Sequence, residues 1–514
     1  MVAVGVIAAA GKGTRAYPRT SFIPKPLFRF DNRSLLERNV EIQFKAFKVK
    51  KLYVIVGHLR EQVEAEVARL RERFPGKEIE TSEWTGKGLA SDIASLRDRI
   101  DEDFSLILGD EFYYNTNHGS LLKLWKEKRR ARALIAITRS PMASAIRKNY
   151  SVELDGAKVR ELIEKPQSPP NDLLGLGTYV FSADFFRYFD ETPPSRRSGI
   201  VELTDVIDYM ARETGQVYAG RLKGRYLNIN SLADYYAAHY MIRSAEFADY
   251  KVSLVLPTLN HAATLPDVIN DFQGSVHEIV VADMGSTDDS VALARKSRAK
   301  VYSRFGASDF PPAGGADGPL PESAGPDPKG SDRLHDGRSI YEAMLCCKGD
   351  IVVLAPADGS FRALDLFKLV EYLKDSDMVI GTRTTRQMME QGSNLPGFYR
   401  WMNVFFGKFV EVLWWSQEPR YTDIGCIYRA VWKEAFVKIA PDLHRRDKTY
   451  SVEMMIEIMR YHMRCIEIPV SYYQGYAARA GESIWQDLRY FFRVSAYILS
   501  RRYSWLRWLE RVVR

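Results

Sequence analysis

Ala8-Ala9-Ala10-Gly11-Lys12-Gly13-Thr14-Arg15, followed closely by Pro24-Lys25-Pro26, is the stretch on which the reading of this chain turns. It continues the apolar run from Val2 to Ala10, which predicts a buried parallel strand, so the glycines fall where a strand passes into a helix. That is a phosphate-binding position. Glycine lets the backbone approach a polyphosphate, successive N–H groups point at its oxygens, and a following helix N-terminus adds favourable partial charge. Arg15 and Lys25 bring two cations to the same place. A Gly-x-Gly pair alone is an ordinary turn. Strand, glycine pair, Thr14-Arg15, Pro18, Thr20 and Pro24-Lys25-Pro26 in order point to a triphosphate.

Working outward, 514 residues with 46% hydrophobic and 27% charged content describe a globular chain large enough for two cores. A formal net charge of +8 suits anionic partners such as nucleotides or a phospholipid surface, and no motif supports nucleic acid. The four cysteines, Cys346, Cys347, Cys426 and Cys465, lack metal-ligand spacing and read as free thiols of a reducing cytoplasm. No basic leader precedes the first apolar run, and no stretch approaches the roughly 18 apolar residues of a spanning helix. A cytoplasmic protein is expected.

Strands and helices alternate through the first half. Lys51 to Gly57 predicts a strand, Glu61 to Phe74 a helix, Gly86 to Ala90 the approach to another helix, and Phe104 to Asp110 a strand ending in an acid. Such alternation favours a parallel sheet with ligands at the carboxyl ends of its strands. Asp110 there is either a hard-metal ligand or a cap. A second start appears at Lys251: the strand Val252 to Asn260 ends in Pro257-Thr258-Leu259-Asn260, and Glu278 to Asp283 is followed by Gly285-Ser286-Thr287-Asp288. Taken singly these strand ends read as turns and caps; together they would make a nucleotide crevice in which Asp283 accepts hydrogen bonds from base or ribose. Between 306 and 337 the composition cannot bury enough surface to order itself, which predicts a mobile insertion. Ala237 to Tyr250 contains no breaker, so the halves are joined by a short, partly helical connection. From Trp485 to Arg514, aromatics interleaved with arginines suit an anionic membrane surface; a helix packed on its own core with a basic outer face has the same pattern.

The N-terminal signature resembles that of sugar-1-phosphate nucleotidyltransferases, and the resemblance spans about residues 2–245. It implies that Gly11, Gly13, Thr14 and Arg15 hold the triphosphate, that Lys25 steadies the phosphates, and that the loop containing Gly88 lies against the base. Glu83 stands where uridine- and thymidine-specific members often carry Gln, so the NTP is left unnamed. The family Gly-Asp makes Asp110 one Mg²⁺ (or Mn²⁺) ligand. Tyr226 to Ser231 resembles the place of the second, with Asn230 the choice and Asn228 the alternative, where the commoner residue is Asp. Glu164-Lys165-Pro166 and Gly177 to Phe181 resemble the segments that meet the sugar phosphate, giving Glu164, Lys165 and Gly177.

From Lys251 the chain resembles family 2 glycosyltransferases, with a close similar to dolichol-phosphate mannose synthase-like enzymes. By that resemblance Pro257, Asn260 and Asp283 bind nucleotide and Asp358 matches the second acid of a metal-binding Asp-x-Asp. Position 356 is Pro where the first acid stands. Asp423 is then a catalytic base or acceptor-positioning residue, with a structural pairing to Arg429 as the other reading, and Arg479 binds an acceptor phosphate.

The expectation is therefore an α/β protein of two Rossmann-like GT-A-type domains, each a mostly parallel sheet covered by helices: 1–245, 246–484 with the mobile insertion 306–337, and an amphipathic helical tail over 485–514. The implied function is bifunctional. One half forms an NDP-sugar from NTP and sugar-1-phosphate with release of pyrophosphate. The other transfers the glycosyl group to a phosphorylated or lipid-phosphate acceptor, at the inner face of a membrane. Two alternatives stay open: an active nucleotidyltransferase, acting on a sugar or alcohol phosphate, with a non-catalytic scaffold, and a membrane-associated nucleotide-binding protein without turnover.

Overall fold

A computed structural model describes residues 2–17, 19–140, 142–310, 337–389, 397–417, 419–444, 449–473 and 484–503. Most of the expected insertion, Arg479 and residues 504–514 lie outside the described residues. The chain divides into two compact units, Met1–Ile242 and Arg243–Arg514.

Among the described residues the first unit carries a nine-stranded sheet. Its strands are β1 (Val4–Ala8), β2 (Lys51–Val56), β3 (Glu78–Glu83), β4 (Phe104–Leu108), β5 (Ala133–Arg139), β6 (Tyr150–Asp155), β7 (Lys158–Glu164), β8 (Leu173–Phe181) and β9 (Val217–Arg221). They lie in the order β3-β2-β1-β4-β8-β5-β9-β7-β6. The strands β3, β2, β1 and β4 run parallel, with Ala8 level with Ile55 and Leu108, so these strand ends open on one edge. The strand β8 runs antiparallel to both β4 and β5, and β9 runs parallel to β5. Successive side chains of a strand point to opposite faces. Val4 and Val6 accordingly enter one apolar cluster and Ile7 and Ala9 the other, which is why the run is apolar throughout.

The element after the glycines differs from expectation. Instead of an α-helix, three short 3₁₀ turns follow, Thr14–Ala16, Arg19–Ser21 and Lys25–Leu27, and the first α-helix is α1 (Leu35–Lys45). Pro24 and Pro26 lack the N–H that a continuing helix needs and restrict the residues before them. Among the described residues the Gly11–Gly13 loop therefore runs into a 3₁₀ turn rather than an α-helix N-terminus, and its own backbone and the cations of the turns carry the positive character.

The second unit carries, among the described residues, a seven-stranded sheet. Its strands are β10 (Val252–Thr258), β11 (Glu278–Asp283), β12 (Lys300–Ser303), β13 (Ile351–Leu354), β14 (Met378–Thr382), β15 (Arg429–Trp432) and β16 (Cys465–Pro469). The order is β12-β11-β10-β13-β15-β14-β16, with the first four parallel, β15 antiparallel to its neighbours, and β16 parallel to β14. This is the succession of the first unit, without the added β7-β6 edge. The helix α2 (Gly397–Leu413) lies beside α3 (Ile484–Arg502), and Tyr490, Val494, Tyr497 and Ile498 of α3 are buried in the core of this unit. Tyr490 and Tyr497, expected to face lipid in a separate tail, are instead core residues; their spacing puts them on the inward face of the helix. All four cysteines are free thiols.

Candidate active site

The carboxyl edge of β1 and β4 brings together Gly13, Lys25 and Asp110, with Arg15 and Asn230 joined beside them. Gly13 sits in the left-handed region at φ 62°, which glycine adopts without strain, and its carbonyl accepts from Thr20 Oγ1 at 3.0 Å. A methyl group on Gly13 would come within 3.0 Å of the Lys25 side chain and Thr20, whereas one on Gly11 would meet no protein atom. Gly11 thus leaves open space beside the loop. Lys25 is buried, and its Nζ lies 3.5 Å from Asp110 Oδ2. Arg15 Nη2 donates to Asn230 Oδ1 at 2.7 Å. Asn230 and Asp110 are tied through the neighbouring chain, because Ile229 N donates to the Asp110 carbonyl at 2.9 Å. Gly88 precedes the short helix Leu89–Ala94, with the Asp92 carboxylate accepting from Thr85 N and Oγ1 to fix the loop.

Behind Asp110 lies a buried layer that sequence reading missed. Glu111 is buried and accepts from Asn228 Nδ2 at 2.9 Å and from the Tyr113 hydroxyl at 3.3 Å. Burial first, and then the charge of Asp110, hold its carboxyl above the usual range. A methyl group on Gly177 would lie 2.6 Å from Glu111 Oε1, so the glycine of β8 makes room for this acid. Asn228 Oδ1 is buried with no hydrogen-bond partner. At the end of β7, Glu164 meets Lys165 at 3.2 Å and Arg197 at 3.6 Å. Burial raises the pKa of the Tyr179 hydroxyl, and the charges of Glu111, Glu164 and Asp110 add to it.

In the second unit Asn260 and Asp283 are both tied to the turn at Ser286 and Thr287. Asn260 Oδ1 accepts from Thr287 N at 2.8 Å, and its N–H donates to Ser286 Oγ at 3.1 Å. Asp283 is buried and accepts from Ser286 N and Ser303 Oγ, both at 2.9 Å. Pro257 lies within β10. Asp358 accepts from Ser360 N at 2.9 Å and contributes, with Asp288, to the field at His261, whose pKa burial nevertheless lowers. The expected pairing of Asp423 with Arg429 is not formed. Arg383 holds Asp423 bidentately, Nε to Oδ2 at 2.7 Å and Nη2 to Oδ1 at 2.8 Å, while Arg429 donates to the Ser451 and Cys426 carbonyls. Both partners of the Arg383–Asp423 pair are buried, so Asp423 is committed to an ion pair and is not disposed as a free base.

Among the described residues no three His, Cys, Asp or Glu side chains cluster as a metal site. The hard oxygens available to a metal in the first unit are the Asp110 carboxylate and the amide oxygens of Asn228 and Asn230, on segments linked by the Glu111–Asn228 pairing and the Ile229–Asp110 backbone bond. Such hard oxygen donors suit Mg²⁺ or Mn²⁺, and the unpartnered Asn228 Oδ1 is a donor to spare.

Residues 4–245 match the nucleotidyl transferase family. A UTP–glucose-1-phosphate uridylyltransferase of Haloferax volcanii is 33% identical over 225 residues, covering 44% of this chain and 90% of that protein. A mannose-1-phosphate guanylyltransferase catalytic subunit beta of Danio rerio is 27% identical over 235 residues, covering 45% of this chain and 62% of the relative. A bifunctional GlmU protein of Methanocaldococcus jannaschii is 28% identical over 210 residues, covering 40% of this chain and 47% of its own length. The chain thus spans most of the first of these and about half to three fifths of the other two.

Proposed function

The chain belongs, through residues 4–245, to the nucleotidyl transferase family, and from that premise we propose that this half joins a nucleoside triphosphate to a sugar 1-phosphate, forming an NDP-sugar and pyrophosphate. UTP with glucose 1-phosphate is the first pair to test, since the Haloferax relative carries that name. The observation that carries the proposal is the convergence of Lys25–Asp110 and Arg15–Asn230 on one sheet edge, two cations each restrained by a partner distant in sequence.

The sugar-phosphate oxygen attacks the α-phosphorus, a new P–O bond forms, and the α–β bridging bond breaks as pyrophosphate departs. Anions are brought together in that step, so charge neutralisation and alignment do most of the catalysis. Arg15 and the N–H groups of Gly11, Gly13 and Thr14 hold the triphosphate. Lys25, held 3.5 Å from Asp110, steadies the phosphates. Glu164, Lys165 and Gly177 line the sugar-phosphate side, and Gly88 the base side. Asp110 with Asn230 or Asn228 would hold a divalent ion, which supplies further neutralisation of the triphosphate. Pyrophosphate release with Mg²⁺ across a grid of NTPs and sugar 1-phosphates tests this, with Asp110→Asn as control. Release by one pair that the substitution abolishes is the expected result; silence from folded protein across the grid overturns it.

The strand succession shared by the second unit supports a second reading for that half: transfer of the glycosyl group from the NDP-sugar to a phosphorylated acceptor. Pro356 and the ion-paired Asp423 weigh toward an acceptor that is already ionised and needs no protein base, or toward a scaffold. Incubating the product of the first reaction with lipid-phosphate acceptors separates the two.

A further inference from the structure

The outward stripe of α2 is apolar where a surface helix is ordinarily polar. Trp401, Phe405, Lys408, Val412 and, in the turn after the helix, Trp415 recur at the three- and four-residue spacing of one helix face, and all are exposed. Val412 is 69% and Trp415 75% exposed. The patch continues onto α3. The Phe405 and Phe491 rings lie 5.4 Å apart, Phe491 and Phe492 5.8 Å apart, and Phe492 is 59% exposed. The opposite sides of both helices are occupied normally, with Met402, Phe406 and Val410 of α2 and Val494 and Ile498 of α3 in the core. The exposed rings are therefore a second apolar surface on elements that have already buried one.

Charge decides what fits it. From Leu488 to Tyr503 the chain carries four arginines, Arg489, Arg493, Arg501 and Arg502, and no Asp or Glu. Arg501 is engaged inward with Glu457, while Arg489 and Arg502 are exposed, and Arg502 lies 5.9 Å from the Trp414 ring next to Trp415. On α2, Lys408 occupies the middle of the stripe and pairs with Glu411. A seam for a second helix favours aliphatic knobs and excludes a central lysine except as a register device. Tryptophan at the margins, phenylalanine between and arginine alongside instead match the headgroup layer, where rings enter and guanidinium groups meet phosphate. Among the described residues no helix is long and apolar enough to cross a membrane, so the contact is one of lying on the surface.

We propose that the α2/α3 face of the second unit docks on an anionic phospholipid surface. The full chain should co-sediment with vesicles of phosphatidylcholine and phosphatidylglycerol and fail to co-sediment with phosphatidylcholine alone. Trp415→Glu and Phe492→Glu should each lower the partition onto anionic vesicles by about tenfold, the effect of losing one buried aromatic ring. Arg489→Glu should weaken it and flatten its loss with salt. Both aromatic sites are exposed, so the variants should keep the wild-type far-UV circular dichroism and thermal transition, which separates lost docking from lost fold. Three results overturn the proposal: no binding by wild type, equal binding to neutral and anionic vesicles, or a concentration-dependent dimer that the same substitutions dissolve.

Discussion

The two units share one strand succession and use its carboxyl edge differently. In the first, Lys25 stands 3.5 Å from Asp110, Arg15 leans on an amide, and Gly11 leaves open space beside them. In the second, Asn260, Asp283, Ser286, Thr287 and Ser303 satisfy one another, and Asp423 is closed into a bidentate pair. The same frame thus carries an edge where two cations stand beside open space and an edge whose polar groups are knitted together. A sheet topology fixes where a ligand can sit; the loop residues decide whether charge is available there.

The largest effect should come from the first edge. Asp110→Asn keeps shape and removes the carboxylate that tethers Lys25 and offers the one charged oxygen to a divalent ion, so pyrophosphate release should fall about a thousandfold. Asp358→Asn in the second unit should leave that rate unchanged. A similar loss from both would dissolve the contrast.

Next is the closed pair of the second edge. Arg383→Ala leaves Asp423 buried without its partner, which should cost about 3 kcal/mol in guanidinium unfolding followed by tryptophan fluorescence. Pyrophosphate release in the absence of denaturant should be untouched.

How much of this was legible follows from distance along the chain. The strands at Val4, Phe104, Val252 and Glu278 announce themselves as apolar runs, and Gly11–Gly13 and Asp110 follow two of them, while Lys25 sits in a later 3₁₀ turn. Partners did not announce themselves. Arg383 and Asp423 are 40 residues apart, and Arg429, the nearer candidate, points from the start of β15 toward the Ser451 carbonyl instead. Glu111 reads as an ordinary acid after Asp110; only the pairing of Glu111–Tyr114 with Arg225–Asn228 puts Asn228 against it. Likewise the aromatics of α3 are visible in sequence, but only packing shows Tyr490 and Tyr497 turned inward and Phe492 outward.

A third test concerns acid. His118 is buried in the first unit, with Nδ1 2.8 Å from Thr116 Oγ1 and its ring 4.5 Å from Tyr113, and burial pushes its pKa down to about 3. The unfolded chain, with the ordinary value of 6.5, binds this proton first as pH falls. Its contribution is complete above 6.5 and is lost toward 3 at about 1.4 kcal/mol per pH unit, or about 2 kcal/mol at pH 5. His118→Asn should flatten the acid limb of stability over that window, and an unchanged slope would place the acid sensitivity elsewhere.

The smallest effect sharpens the comparison most. Arg97 and Asp190 in the first unit also form a bidentate pair, here through Nη1 and Nη2 at 3.1 and 2.8 Å rather than through Nε and Nη2. The difference is solvent: the side chains are 41% and 53% exposed, against 7% and 2% for the buried pair. Water screens the exposed charges and solvates whichever one is left, so Asp190→Ala should cost no more than about 0.5 kcal/mol, and less in high salt. If geometry rather than burial set the energy, the two substitutions would cost alike. A loss at Asp190 approaching that at Arg383 would therefore show that the second unit's edge is closed by hydrogen-bond geometry alone, and that burial of Asp423 is incidental to it.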